Sequence, residues 1–384
     1  MTALDLLDRL IAFPTVSRDP NRDLIAFVAD FLAAQGCAAQ IIATPDGRKA
    51  NLYATIGPSD RPGILLSGHT DVVPVDGQAW SADPFRLRVA DGRAYGRGAA
   101  DMKGFLACAL ALAERAAARD LAVPLHLAFS HDEEVGCLGV RSLIAHLAQA
   151  PIRPRICIIG EPTSMRVATG HKGKLAARAT CCGVEGHSAL APKALNAIHL
   201  ACDFVGLLRA GQDRLAAEGV RDDDYDIPYT TLHAGVIAGG TALNIVPNRC
   251  TVDFEIRNVA QDDASAILAR LMDEAALLVA ARREAFPQAD IAVEVVNAYP
   301  GLATSPDAHI VSFVRSLVED PTTFKVAFGT EGGLFDQHLA IPTVVCGPGS
   351  MDQGHKPDEF VSLDQMAACE RMMDRLLHRL TAPA

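Results

Sequence analysis

Ser67-Gly68-His69-Thr70-Asp71-Val72-Val73-Pro74 joins an apolar run to a histidine, places a carboxylate two positions later and stops at a proline. Ile64-Leu65-Leu66 before it is short, continuously apolar and preceded by Arg61-Pro62-Gly63. That is the pattern of a central strand buried on both faces of an open sheet. His69 then falls where such a strand ends, and the carboxyl ends of strands form the ligand crevice of open α/β sheets. Asp71 is spaced to accept the second imidazole N–H, an arrangement common behind metal-bound histidines. Taken alone, His-x-Asp also fits a core or loop histidine with a satisfied hydrogen bond.

The same layout recurs along the chain. Tyr95 to Gly104 is a glycine-punctuated loop that delivers Asp101 just before an alanine-rich helical pattern. Leu125 to Ser130 is a second buried-strand run and ends in His131-Asp132-Glu133-Glu134. Arg155 to Gly160 ends in Glu161-Pro162-Thr163, and Pro342 to Cys346 is followed by a loop reaching His355-Lys356-Pro357. Each run empties a histidine or a carboxylate onto the same edge of the expected sheet.

Gly68 to Pro74, Gly96-Arg97-Gly98-Ala99-Ala100-Asp101-Met102-Lys103-Gly104, Asp132-Glu133-Glu134, Gly160-Glu161-Pro162-Thr163 and His355-Lys356-Pro357 together resemble the dinuclear-zinc family of aminoacylases, glutamate-releasing carboxypeptidases, succinyl-diaminopimelate desuccinylases and acetylornithine deacetylases. Within it, Gly186 to Pro192, Gly240 to Cys250, Gly329 to Phe335 and Cys346 to Ser350 are similar to the acetylornithine deacetylases. Their reaction, hydrolysis of an N2-acetyl amino acid to acetate and the free amine, is what the resemblance implies. Deacylation of acetylcitrulline or of succinyl-diaminopimelate is the neighbouring alternative.

The chain has 384 residues, enough for two domains with separate cores. Its 46 acidic against 35 basic side chains give a net charge of -11, which speaks against a nucleic-acid or anionic-membrane partner. The ten cysteines have no paired C-x-x-C spacing, and Cys181-Cys182 would point to opposite faces of a strand, so reduced cysteines and a cytoplasmic setting are expected. Asp5 and Asp8 with no basic leader argue against a secretory signal. No apolar run approaches the roughly 20 residues needed to cross a bilayer.

Leu24, Phe27, Val28, Phe31 and Leu32 repeat with helical spacing. Strands and helical segments then alternate to Thr163, the signature of a three-layer α/β domain with a mostly parallel sheet. From about Gly173 the order becomes β-α-β-β-α-β, a ferredoxin-like arrangement, before the α/β rhythm resumes with strands at Phe324 to Phe328 and Pro342 to Cys346. The expected organisation is a catalytic domain of residues 1–173 and 298–384 interrupted by an inserted α+β domain of residues 174–297. By the resemblance that insert is a lid, and the family often forms homodimers through it.

The resemblance also implies roles. Two zinc ions per subunit, with Co2+ able to substitute, would share Asp101 as a bridge at a spacing of about 3.5–4 Å. His69 and Glu161 would complete one position, and Glu134 and His355 the other. A nitrogen and carboxylate donor set without thiolate leaves such ions Lewis acidic. Glu133, left unligated, is suited to take a proton from water and pass it to the leaving amine. The peptide after Asp101 is expected to be cis. His187, in the insert, would reach the partner subunit's site and donate to the developing oxyanion; a surface histidine before a helix is the alternative. Asn244 and Arg257 would grip the substrate carboxylate, although Arg257 fits a strand-end ion pair equally well. Glu331 is a candidate to face a substrate ammonium. A serine or cysteine nucleophile elbow is not recognisable, and a non-catalytic scaffold would be expected to lack the base or a ligand.

Overall fold

The Ile64–His69 strand is buried along its whole length and runs parallel to Leu125–Ser130 on one side and Ile156–Ile159 on the other. In this computed structural model, which describes residues 1–381, Thr343–Val345 adds a fourth parallel strand beyond Ile156–Ile159. All four are buried throughout, which is why each reads as a continuous apolar run rather than an alternating one. Ala50–Ile56 and then Ala39–Ala43 extend one side in antiparallel fashion, and Val167–His171 turns antiparallel on the other. Among the described residues the result is a nine-stranded mixed sheet with a parallel centre.

Side chains of a strand alternate between faces, and the two faces meet different helices. Ile64, Leu66, Leu125 and Leu127 share one core with residues of Ala3–Ile11, Arg22–Ala34, Gly104–Ala117 and Leu363–Thr381. Leu65 and Ala128 face the opposite way, where Val140–Ala148 and Gly332–Leu339 pack together. Small residues set the close approach at the strand ends. A Cβ on Gly68 would lie 2.4 Å from Met102 Cε, and one on Gly160 would lie 2.0 Å from the Phe105 ring.

Lys174–Cys182, Ala197–Glu218, Thr231–Gly239, Arg249–Arg257, Ala264–Arg283 and Asp290–Tyr299 build the second unit. Thr231–Gly239, Arg249–Arg257, Lys174–Cys182 and Asp290–Tyr299 lie side by side in that order, all antiparallel. Leu175, Ala177, Ala179 and Cys181 alternate inward opposite Cys250, Val252, Phe254 and Ile256, and Leu200, Phe204, Leu271 and Ala275 of the two helices cover them. All ten cysteines are free thiols.

The division between units differs in detail from the sequence-based boundaries. The first unit comprises Met1–Gly170, Leu302–Lys325 and the described residues from Thr330 on; the second comprises His171–Gly301 and Val326–Gly329. The strand expected at Phe324 to Phe328 therefore stops early, at Thr323–Val326. Gly329 sits so close to the Tyr299 ring that a Cβ would lie 2.2 Å from its hydroxyl oxygen, which holds this short segment to the second unit. No helix among the described residues is long and apolar enough to cross a membrane.

Candidate active site

Three of the buried parallel strands end in loops that carry the candidate side chains. After Ser130 the chain turns sharply at Asp132, whose φ of 55° lies in the left-handed region. The Lys49 ammonium, 2.5 Å from the Asp132 carboxylate, fastens that turn. Beyond it, the Asp71 carboxylate accepts the backbone N–H of Glu133 at 3.1 Å and of Glu134 at 3.3 Å, and the Ser17 hydroxyl at 2.7 Å. Asp71 also stands behind His69. The His69 Nδ1 lies 2.8 Å from the Asp71 backbone carbonyl and 3.6 Å from its carboxylate. The residue faces the imidazole with both its main-chain carbonyl and its carboxylate, and the same carboxylate organises the Glu133-Glu134 loop.

Asp101 occupies the centre. Its Oδ1 lies 3.0 Å from His69 Nε2, which is in turn 3.7 Å from Glu161 Oε1. Its Oδ2 lies 3.2 Å from His355 Nε2, which is 3.1 Å from Glu134 Oε2. Each Asp101 oxygen therefore faces one histidine, and a glutamate lies beside each of those histidines. Ligand atoms of His69, Glu133 and Glu161, and of His69, Asp101 and Glu134, each fall within 4.8 Å of one another. The Asp101-Met102 peptide is cis, as expected. His355, with φ 60° and a side chain 44% exposed, forms the open side of the cluster; the side chains of His69, Asp101, Glu134 and Glu161 are 8% exposed or less.

So many carboxylates in a buried space perturb one another. Burial pushes Glu133 and Glu161 well above the usual carboxylate range; His69 opposes the shift in both, and Asp101 adds to it. Glu134 rises to about 7 through burial and the nearby Asp101. Burial would raise Asp101 as well, but its hydrogen bonds with His355 and His69 outweigh that and hold it far below its ordinary value. Burial disfavours the charged His69, yet its contacts with Asp101 and Asp71 leave its pKa raised, and contacts with Asp101 and Glu134 lift His355 to about 10. Excess buried negative charge of this kind is relieved by cations.

Other candidates are placed differently. Glu331 is 1% exposed, accepts a hydrogen bond from the Ser130 hydroxyl at the strand end, and lies close enough to Glu133 for its charge to raise that carboxyl. It precedes the Gly332–Leu339 helix, whose first turn is buried, and burial raises it to about 7. His187, Asn244 and Arg257 belong to the second unit. His187 and Asn244 are exposed neighbours there: Gly186–His187 pairs with Ile245–Val246, and the Ser188 N–H donates to the Asn244 carbonyl at 3.0 Å. Arg257 instead donates to Glu255 at 3.0 Å and to the Tyr299 hydroxyl at 3.3 Å, the strand-end ion pair that was its alternative reading. Sequence reasoning missed Glu359, a fully buried carboxylate four residues beyond His355. The signal available was its place in the Pro357-Asp358-Glu359 continuation of a loop already singled out.

Two imidazole nitrogens and several buried carboxylates around one two-sided aspartate, with no thiolate, are the donor set of a hydrolytic metal centre, and its residues fit divalent cations. The fold and this site define a metal-dependent hydrolase. The chain belongs to peptidase family M20/M25/M40, whose model matches residues 65–379, and it is a metal-dependent amidohydrolase of that family. It is 35% identical over 384 residues to the acetylornithine deacetylase of Pasteurella multocida, covering 97% of each chain. It is also 35% identical to that of Proteus mirabilis, covering 98% of this chain and 96% of the relative. Among solved structures, a metallo-carboxypeptidase of the M20 family from Sulfolobus solfataricus superposes with a TM-score of 0.78 at 19% identity, covering 99% of both chains. A tripeptidase from Staphylococcus aureus gives 0.77 at 18% identity, covering 98% of both. These two similarities speak for the fold.

Proposed function

We propose that the protein hydrolyses the amide bond of N2-acetyl-L-ornithine to L-ornithine and acetate, a step of arginine biosynthesis, using two zinc ions held by its strand-end cluster. The reading is supported by relatives at 35% identity over nearly the whole chain that carry the name acetylornithine deacetylase. The observation that carries the chemistry is Asp101, with His69 at one oxygen and His355 at the other, His69 itself close to Glu161 and His355 to Glu134. His69, Asp101 and Glu161 would hold one cation, and Glu134, Asp101 and His355 the second. Such a pair, when bound, polarises the scissile carbonyl and makes water acidic enough to attack it near neutral pH.

The protein's own groups do the rest. Glu133 lies within ligand distance of His69 and Glu161; on this reading it is left unligated, and its raised pKa suits it to accept a proton from the attacking water and return it to the leaving amine. Asp71 keeps Glu133 and Glu134 presented by holding both of their backbone N–H groups. From the second unit, His187 would donate to the developing oxyanion in the partner subunit's site and Asn244 would bind the substrate carboxylate. We further propose a cytoplasmic homodimer formed through that unit, whose edge strand Thr231–Gly239 leaves Val236 and Ile237 exposed.

A panel of N2-acetyl-L-ornithine, N-acetylcitrulline and N-succinyl-diaminopimelate tests the substrate. The highest kcat/KM is expected for N2-acetyl-L-ornithine; a higher value for the succinylated diamine would replace this assignment.

A further inference from the structure

Glu359 is 1% exposed and takes no part in the cluster around Asp101. Its Oε1 accepts the backbone N–H of Ala100 at 2.9 Å and of Asp101 at 3.1 Å. Its Oε2 accepts the Gly98 N–H at 3.0 Å and Nη1 of Arg97 at 2.7 Å. One carboxylate thus gathers the main chain of the loop that presents Asp101. Arg97 is itself 1% exposed, and its Nη2 donates to Gln78 Oε1 at 2.5 Å. Gln78 Nε2 in turn donates to the His355 backbone carbonyl at 3.0 Å, and the Trp80 indole N–H donates to Gln78 Oε1 at 3.0 Å.

These bonds make a closed circuit. It runs from the Asp101 main chain through Glu359, Arg97 and Gln78 to the His355 main chain, and returns through the 3.2 Å approach of His355 Nε2 to Asp101 Oδ2. Regular structure holds neither end. Asp101 has the non-helical angles φ -123° and ψ 91° inside a distorted turn, and His355 has φ 60°. A buried carboxylate accepting several donors, one of them a guanidinium, is the kind of contact that fixes geometry.

We infer that Glu359, Arg97 and Gln78 are positioning residues that set the spacing of Asp101 and His355, and through it the affinity for the cation shared by Asp101, Glu134 and His355. The inference rests on the metal-centre reading given above. Groups that orient metal ligands are typically worth about 10–100-fold in affinity.

The discriminating variant is Gln78→Glu. It keeps the acceptor for Arg97 and Trp80 but replaces the donor to the His355 carbonyl by a second acceptor. Metal-stripped protein is titrated with Zn2+ in competition with a chelator, with the melting temperature measured alongside. Wild type is expected to bind two equivalents. Gln78→Glu and Gln78→Ala should weaken one of them about 10–100-fold, leave the other within about threefold, and keep the melting temperature of Gln78→Glu near that of wild type. Glu359→Gln should weaken both, because Asp101 is common to the two positions; if it does not fold, the Gln78 variants decide. Wild-type affinity for both cations in the two Gln78 variants would overturn the inference. Failure of the underlying reading looks different: wild type would bind fewer than two equivalents, or Asp101→Asn would leave binding intact, and the inference would fall with it.

Discussion

The strand-end edge of the first unit and the loops of the second both carry histidine and carboxamide or carboxylate candidates, and they hold them in opposite ways. His69 is 1% exposed, with its Nδ1 against a backbone carbonyl and its Nε2 against Asp101. His187 is exposed, and its side chain only accepts the Ala189 N–H at 3.1 Å. Burial strengthens electrostatic effects because fewer water dipoles screen them. Chemistry that depends on shifted pKa values and cation binding therefore belongs to the first unit. The roles proposed for His187 and Asn244 of the second unit instead require them to reach a substrate beyond their own surroundings.

That contrast can be broken by experiment. Glu133→Ala should lower kcat by about 10²–10⁴-fold with metal content unchanged, measured by steady-state kinetics beside elemental analysis. Retained turnover would remove Glu133 from the role of base, and lost metal would make it a ligand. His187→Ala should lower kcat by about 10²–10³-fold, the usual loss for an oxyanion donor, without moving the melting temperature. A normal kcat would leave His187 as a surface histidine.

One buried histidine in each unit contributes stability that acid removes. Burial lowers His126 in the first unit and His171 in the second to about 4, against about 6.5 in an unfolded chain. The unfolded state therefore takes up protons first as pH falls, and stability present above pH 6.5 is lost on the way down to 4. At pH 5 the loss is about 2 kcal/mol for each group. Relative to wild type, His126→Gln should lose less melting temperature, or gain more, between pH 7 and 5, and an unchanged slope would contradict a neutral buried His126. The smallest effect is expected at Arg257. Its pairing with Glu255 and Tyr299 predicts that Arg257→Ala costs under about 1 kcal/mol and moves KM by less than tenfold; a larger rise in KM would mean that it leaves those partners for the substrate.

The candidate site was legible where its signals were local. His69, Asp101, Glu133, Glu134, Glu161 and His355 each follow a buried run or a glycine-rich turn, and such patterns are visible in a few consecutive residues. The inserted unit was legible too, because Leu175, Ala177, Ala179 and Cys181 alternate as a half-buried strand must. What escaped depends on residues far apart in the chain. Glu359 meets the Asp101 loop across some 260 positions, Lys49 meets Asp132 across 83, and Asp71 turns its carboxylate to a loop 62 positions on. No periodicity announces such pairings. Arg93–Tyr95 and Phe360–Ser362, each three residues long, pair into a small sheet and are too short for a pattern. The burial of Glu331 beside Ser130 was equally out of reach, because it is a property of packing alone.

The central claim is that Asp101 stands between two cations. Diffraction from crystals of the zinc-loaded enzyme, recorded at the zinc absorption edge, tests it most directly. Two anomalous peaks are predicted, one among Asp101, His69 and Glu161 and the other among Asp101, Glu134 and His355. A single peak, or peaks remote from Asp101, would contradict it.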